Sequence, residues 1–138
     1  MDNSKSNLAT QLKQAGYSLT KSRIAVFNYL FNHGPITMRA LLSGLDGRLD
    51  RASVYRTVKL FEDLGLVQRL SNGFKYSLEL SDNLIQHHHH LVCVSCGRIE
   101  DITDTRLENY IDWLSKAKGF RSLAHQVEVR GYCLNCSH

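Results

Sequence analysis

Apolar residues in the first part of the chain recur at three- and four-residue steps, the spacing of one helical face. Leu8, Leu12 and Ala15 follow this spacing and Gly16 comes next, which predicts a first helix ending before Gly16. Ile24, Phe27, Leu30 and Phe31 predict a second helix, opened by Thr20 as N-cap and closed near His33-Gly34-Pro35. Thr37 opens a short third helix carrying Leu41, Leu42 and Leu45. Asp50 opens a fourth, with Val54, Val58 and Phe61 towards the core and Gly65 at its end. Two short runs follow, Val67–Ser71 and Phe74–Leu78, joined by Asn72-Gly73. Asn-Gly between two such runs predicts a β-hairpin, because both central turn residues need positive φ.

Glu79 to Gln86 reads as a polar connector and as the best domain boundary. Residues 89–94 then read as a strand, Arg98–Ile102 as a second, and Val127, Val129 and Tyr132 as a last one. Between them Leu107, Tyr110, Ile111, Leu114 and Ala117 mark an amphipathic helix stopped by Gly119. Two strands, a helix and a strand make an α/β unit too small to be comfortably stable alone. Zinc or dimerisation commonly remedies that. The expected fold is therefore α+β. Residues 1–80 form an N-terminal winged helix-turn-helix, 81–86 a hinge, and 87–138 a small α/β dimerisation unit that binds metal.

Helices followed by a hairpin is the order of a winged helix-turn-helix, whose last helix enters the major groove of DNA. The exposed positions of the fourth helix are Arg51, Ser53, Tyr55, Arg56 and Lys59, donors suited to phosphates and base edges. Any one of them alone is better explained as part of a solvated helix face. Their clustering before a hairpin favours DNA contact. Arg23, near the start of the second helix, is a further DNA candidate. Charge agrees with this division. Residues 1–78 hold 11 Lys and Arg against 5 Asp and Glu, while residues 79–138 hold 6 against 8. The first part thus has the sign of a polyanion binder and the second has carboxylates for cations. No apolar run approaches a membrane helix and the N-terminus has no signal-peptide pattern, so a cytoplasmic, membrane-free protein is expected.

All four cysteines fall in two pairs of zinc-knuckle spacing, Cys93/Cys96 and Cys133/Cys136, separated by the 36 residues 97–132. Two thiolates so spaced reach one tetrahedral zinc, and cysteine pairs in a cytosolic chain favour metal over disulfide. The competing readings are a redox dithiol and unlinked buried thiols. A redox pair needs a low-pKa thiol at a helix N-terminus, and both pairs here lie at strand ends. Just before the first pair runs His87-His88-His89-His90. On a strand successive side chains point to opposite faces, so His87 and His89 share one face and His88 and His90 the other. That parity suggests two metal sites. The bland alternative, a purification tag, is normally terminal, whereas this run is internal. Imidazole suits zinc, iron, nickel, cobalt and copper alike. A zinc hydrolase, the rival from another class, needs an open metal position and a general base. Glu100 or Glu108 is available as a base, but no HExxH motif exists and the hairpin and basic helix are left unexplained.

Taken together, Ser53-Val54-Tyr55-Arg56-Thr57-Val58, the His-rich Leu91-Val92-Cys93-x-x-Cys96-Gly97, and Gly131-Tyr132-Cys133-x-x-Cys136 resemble the ferric uptake regulator family over nearly the whole chain. The resemblance implies a homodimeric, metal-dependent transcriptional repressor that binds a palindromic operator and controls metal uptake genes. It makes Cys93, Cys96, Cys133 and Cys136 a structural zinc site. It makes His87, His89, Glu108 and His125 one regulatory metal site. His88 and His90 match a second regulatory site at the hinge, with Asp101 as the acid on the second strand. In the family that site also takes a histidine from the DNA-binding unit and an acid after the wing. Here the histidine is His33, two residues before the usual position, and the acid is Glu79 or Asp82. The regulatory metal is expected to be Fe2+ or Zn2+, with Mn2+ or Ni2+ also compatible. Arg56 after Tyr55 resembles the iron and zinc uptake branches, whereas Asp101 resembles the peroxide-sensing branch.

Overall fold

The computed structural model describes residues 2–72 and 75–137, which fall into two compact units, Met1–Gln86 and His87–His138. The first holds helices α1 (Asp2–Gln14), α2 (Lys21–His33), α3 (Met38–Gly44) and α4 (Arg51–Asp63), then strands β1 (Val67–Asn72) and β2 (Lys75–Leu80). The predicted side-chain caps form. Thr20 Oγ1 accepts from the Arg23 N–H at 3.3 Å, Thr37 Oγ1 from Ala40 at 3.1 Å, and Asp50 Oδ1 from Ser53 at 2.8 Å. α4 ends where Gly65 takes φ +68°, a left-handed conformation that costs a glycine little. The Leu66 N–H then closes the helix on the Phe61 carbonyl at 2.7 Å and turns the chain into β1.

Leu8, Leu12, Phe27, Leu30, Leu41, Val54, Val58 and Phe61 share one core with Leu66, just before β1, and with Leu78 and Leu80 of β2. On α2 the face towards this core is centred differently from the sequence expectation. Val26 is fully buried, while Ile24 and Phe31 are only half-buried, because α3, α4 and β2 meet that helix on its Val26–Phe27–Leu30 side. β1 and β2 pair antiparallel from Val67↔Leu80 to Asn72↔Lys75. Leu78 also exchanges both backbone hydrogen bonds with Ile36, which ties the hairpin to the α2–α3 connection. The expected turn residue Gly73 and the neighbouring Phe74 lie outside the described residues. Glu79 and Leu80 extend β2, and Leu84 is buried in the core, so the segment read as a polar connector belongs in part to this unit.

The second unit holds β3 (His89–Cys93), β4 (Ile99–Ile102), α5 (Thr105–Ala117) and β5 (Glu128–Gly131). β3 is the middle strand, antiparallel to β4 and parallel to β5. Val94, expected at the end of β3, already lies in the Cys93–Cys96 turn. Asp104 caps α5, accepting from the Arg106 N–H at 2.8 Å. α5 is amphipathic as expected, yet none of its residues is buried, and Tyr110 and Trp113 are 58% and 60% exposed. No helix among the described residues is long and apolar enough to cross a membrane.

Candidate functional site

Among the described residues of the second unit stand three groups of metal-type side chains, each built on β3 or its approach. The first is the four cysteines. Cys93 ends β3, and the tight turn after it brings the Gly97 N–H onto the Cys93 carbonyl at 3.0 Å. Cys136 closes a matching turn on the Cys133 carbonyl at 2.9 Å. Because β3 and β5 are parallel neighbours, with Cys93 paired to Gly131, the two turns emerge at the same end of the sheet. All four sulfurs lie within 4.8 Å of one another, and Cys96 Sγ is 3.8 Å from Cys133 Sγ. Four sulfurs around a zinc at about 2.3 Å are separated by about 3.8 Å, so the set fits a tetrahedral zinc. The Cys96 and Cys133 backbone N–H groups hold the Cys93 thiol down to about 6. A hydrogen bond to the Cys133 sulfur, with the other thiols close by, pushes Cys136 up to about 12. Four crowded thiols do not all ionise without a cation between them.

The second group is His87, His89, Glu108 and His125. Glu108 sits in the first turn of α5 and uses both oxygens. Oε1 is 2.8 Å from His89 Nε2 and Oε2 is 2.9 Å from His125 Nε2. His87 Nε2 lies 3.1 Å from His125 Nε2 and 3.8 Å from Glu108 Oε1. The Val127 backbone N–H donates to His89 Nδ1 at 3.2 Å, which aims Nε2 of that buried ring at Glu108. Three imidazoles and one carboxylate converging in this way suit a first-row divalent cation.

The third group is His88, His90 and Asp101. Asp101 is the β4 partner of His90 across the strand pair, and its Oδ1 is 3.8 Å from His88 Nε2 and 4.0 Å from His90 Nε2. Both rings are buried, while Asp101 is exposed. The odd and even histidines thus fall into separate groups. The remaining ligand candidates lie in the first unit. Glu79 is buried on β2 beside Gln68, whose Nε2 donates to it at 3.1 Å. Asp82 is exposed in the turn after β2. His33 ends α2, stacked on Tyr29 with ring centroids 4.2 Å apart.

The first unit carries the nucleic-acid candidates. Arg51, Tyr55, Arg56 and Lys59 are exposed on α4. Lys59 pairs with Asp63 at 2.6 Å, and the Ser53 hydroxyl donates to Asp50 at 2.7 Å, part of the helix cap. Arg23 donates to the Ser18 carbonyl and lies 5.3 Å over the Tyr17 ring. A groove of about 550 Å³ runs beside α4, lined by Arg39 and Leu42 of α3, Arg51 and Tyr55 of α4, and Tyr76 of β2 among others. Sequence reasoning missed Arg39 and Tyr76. Arg39 stands two residues after the α3 cap and Tyr76 lies on the second hairpin strand, but only packing shows that they line one groove with Tyr55.

A profile described as the ferric uptake regulator family matches residues 14–130. The chain belongs to this family. It is 38% identical over 134 residues to the ferric uptake regulation protein of Legionella pneumophila, covering 91% of this chain and 96% of that one. It is 30% identical to the peroxide operon regulator of Bacillus subtilis (strain 168), covering 91% and 88%. Its fold matches the Helicobacter pylori ferric uptake regulator, a protein described as having three functional metal-binding sites. The TM-score is 0.77 at 21% identity over 98% and 92% of the two chains. Members of the ferric uptake regulator family are metal-binding, DNA-binding transcription regulators and not enzymes. As a member, this chain carries, among the described residues, three groups that could hold a metal, made respectively of four thiols, of three imidazoles with a carboxylate, and of two imidazoles with a carboxylate.

Proposed function

We propose that this family member is a metal-responsive repressor of metal uptake genes that acts as a homodimer on a palindromic operator. The observation that carries the reading is the sorting of four consecutive histidines into two carboxylate-bearing groups. A divalent cation, when bound, supplies the positive charge that lets buried imidazoles and carboxylates share one point. Cys93, Cys96, Cys133 and Cys136 hold the structural zinc. His87, His89, Glu108 and His125 hold one regulatory ion. His88, His90 and Asp101 hold another, with the remaining ligand drawn from His33, Glu79 or Asp82 of the first unit, as the family resemblance implies. Ligands from both units fix residues 81–86 and with them the spacing of the two α4 helices. Operator affinity and metal affinity are then linked by one reciprocal coupling free energy. Arg51, Ser53, Tyr55, Arg56, Lys59 and Arg23 make the DNA contacts.

Iron or zinc is the preferred regulatory metal, supported by the likeness to the Legionella protein and by Arg56 after Tyr55. A peroxide-responsive regulator is the second reading, favoured by Asp101 in the third group and by the likeness to the Bacillus peroxide regulator. The test begins with duplexes selected from a random pool by the full-length protein, with Zn2+, Fe2+ and Mn2+ supplied in turn. Metal content and affinity for the selected duplex are then measured before and after chelation. The reading expects at least one added metal to tighten binding and the duplex to tighten that metal reciprocally. Affinity indifferent to every metal overturns it. Hydrogen peroxide separates the two branches. Oxygen addition to a ligand histidine in the iron-loaded protein, with loss of DNA binding, selects the peroxide reading.

A further inference from the structure

The hairpin and α4 are joined by a contact that the helix-and-wing reading does not use. Arg69 on β1 makes two parallel hydrogen bonds to Glu62 on α4, Nε to Oε1 and Nη2 to Oε2, the second at 3.1 Å. A fork-on-fork pair of this kind fixes orientation as well as distance. Glu62 lies on the last turns of α4, with its side chain only 17% exposed. While its edge bonds Glu62, the same guanidinium lies over the Tyr76 ring, 4.3 Å from its centroid. Arg69 pairs with Leu78 across the hairpin and Tyr76 with Ser71, so Arg69 and Tyr76 are diagonal neighbours, a separation long side chains span. Tyr76 in turn lines the groove shared with Tyr55 and Arg51.

We propose that Glu62, Arg69 and Tyr76 form a clamp that sets the wing against α4 and places the Tyr76 ring in the DNA-binding groove beside Tyr55. Arg69 and Glu62 are positioning residues, and Tyr76 is a further DNA contact that reads sequence. The proposal rests on α4 being the DNA reader. Its chemistry makes an unusual demand on sign. Glu62 is an acid beside a polyanion site, so simple electrostatics says that neutralising it tightens DNA binding. The clamp says that neutralising it loosens sequence-specific binding, because the guanidinium loses its partner and the ring loses its cover.

The test uses the full-length, metal-supplied protein, the duplex selected by the wild-type chain and a shuffled duplex of the same length. The variants are Glu62→Gln, Arg69→Met, Tyr76→Phe, Tyr76→Ala and the Glu62→Gln/Arg69→Met pair, with Arg56→Ala as a control. The expected result is a loss of roughly tenfold for the selected duplex in each of Glu62→Gln, Arg69→Met and Tyr76→Ala, with the double variant no worse than either single. Affinity for the shuffled duplex, and the slope of affinity against salt, should change by less than one phosphate contact's worth. Tyr76→Phe separates ring from hydroxyl and should keep most of the affinity, as a cation–π contact requires. Tighter binding by Glu62→Gln, or additive losses in the double variant, overturns the clamp. A salt slope that falls by about one in Arg69→Met makes Arg69 a direct phosphate contact and overturns its positioning role. If Arg56→Ala also leaves specific binding unchanged, the DNA-reading role of α4 fails. If only Arg56→Ala has an effect, the clamp alone fails.

Discussion

His88, His89 and His90 are 8%, 0% and 3% exposed, an unusual burial for three polar residues in a row. Each imidazole needs partners for its nitrogens, and Glu108 and Asp101 stand ready on α5 and β4. The two-residue period gave the odd and even sets directly from the sequence. The carboxylates that complete them came from the family resemblance and not from any local pattern. If the sets hold different ions, His88→Ala and His90→Ala should each remove one ion and abolish metal-activated operator binding, leaving the zinc on the cysteines. His87→Ala and His89→Ala should remove another ion with a smaller effect on DNA. Metal stoichiometry and operator affinity of the four variants decide this. Loss of the same single ion in all four sinks the two-site reading. On α4, Arg56→Ala should weaken operator binding by about 1–3 kcal/mol if its guanidinium meets a base edge, measured at fixed salt. The sequence could place Arg56 on an exposed face. It could not show that Ser53 also serves the Asp50 cap, since that depends on how the turn closes.

At the scale of elements, caps and core are the legible part. Thr20, Thr37 and Asp50 precede their helices with the expected hydrogen bonds, because a cap is a contact between residues three apart. Thr37→Ala should cost about 1 kcal/mol in urea unfolding, and Phe61→Ala about 3–5 kcal/mol because Phe61 is fully buried between helices and hairpin. Asp104 caps α5, and its hydrogen bonds to the Arg106 side chain and backbone hold its carboxyl down to about 2. A folded-state value below the unfolded one adds stability that is fully present above the unfolded carboxyl range, near pH 4. It is lost as pH falls towards 2. Asp104→Asn should therefore lower the melting temperature at neutral pH and converge with the wild type near pH 2. A constant gap across that range would contradict the assignment. α5 shows where element-level reading stops. Its apolar stripe was legible, but the stripe is not buried in this chain, and a periodicity records that a face is apolar without recording what covers it.

At the scale of the whole molecule, the exposed Tyr110, Trp113 and Leu114 of α5 and the exposed Leu91 and Val129 of the sheet suit the homodimer proposed above. Sedimentation should then show a dimer, and Trp113→Glu should shift it towards monomer if α5 lies in the interface. Cys96→Ser should release the zinc and lower the melting temperature of the second unit, since a structural zinc contributes its binding free energy to folding. Retention of full zinc content by that variant would remove the four-thiol site. The sequence by itself determined the elements, the caps, the knuckle spacings and the odd–even split of the histidines. All of these depend on residues within a few positions of one another, where backbone geometry dictates the outcome. Only the tertiary structure decided that Val26 replaces Ile24 and Phe31 at the centre of the core, and that the two knuckles meet because β3 and β5 run parallel as neighbours. It alone decided that Arg69 bridges Glu62 and Tyr76. Those outcomes join segments from seven to forty or more residues apart, and the free energy that selects them is the packing of whole faces, which no local pattern contains.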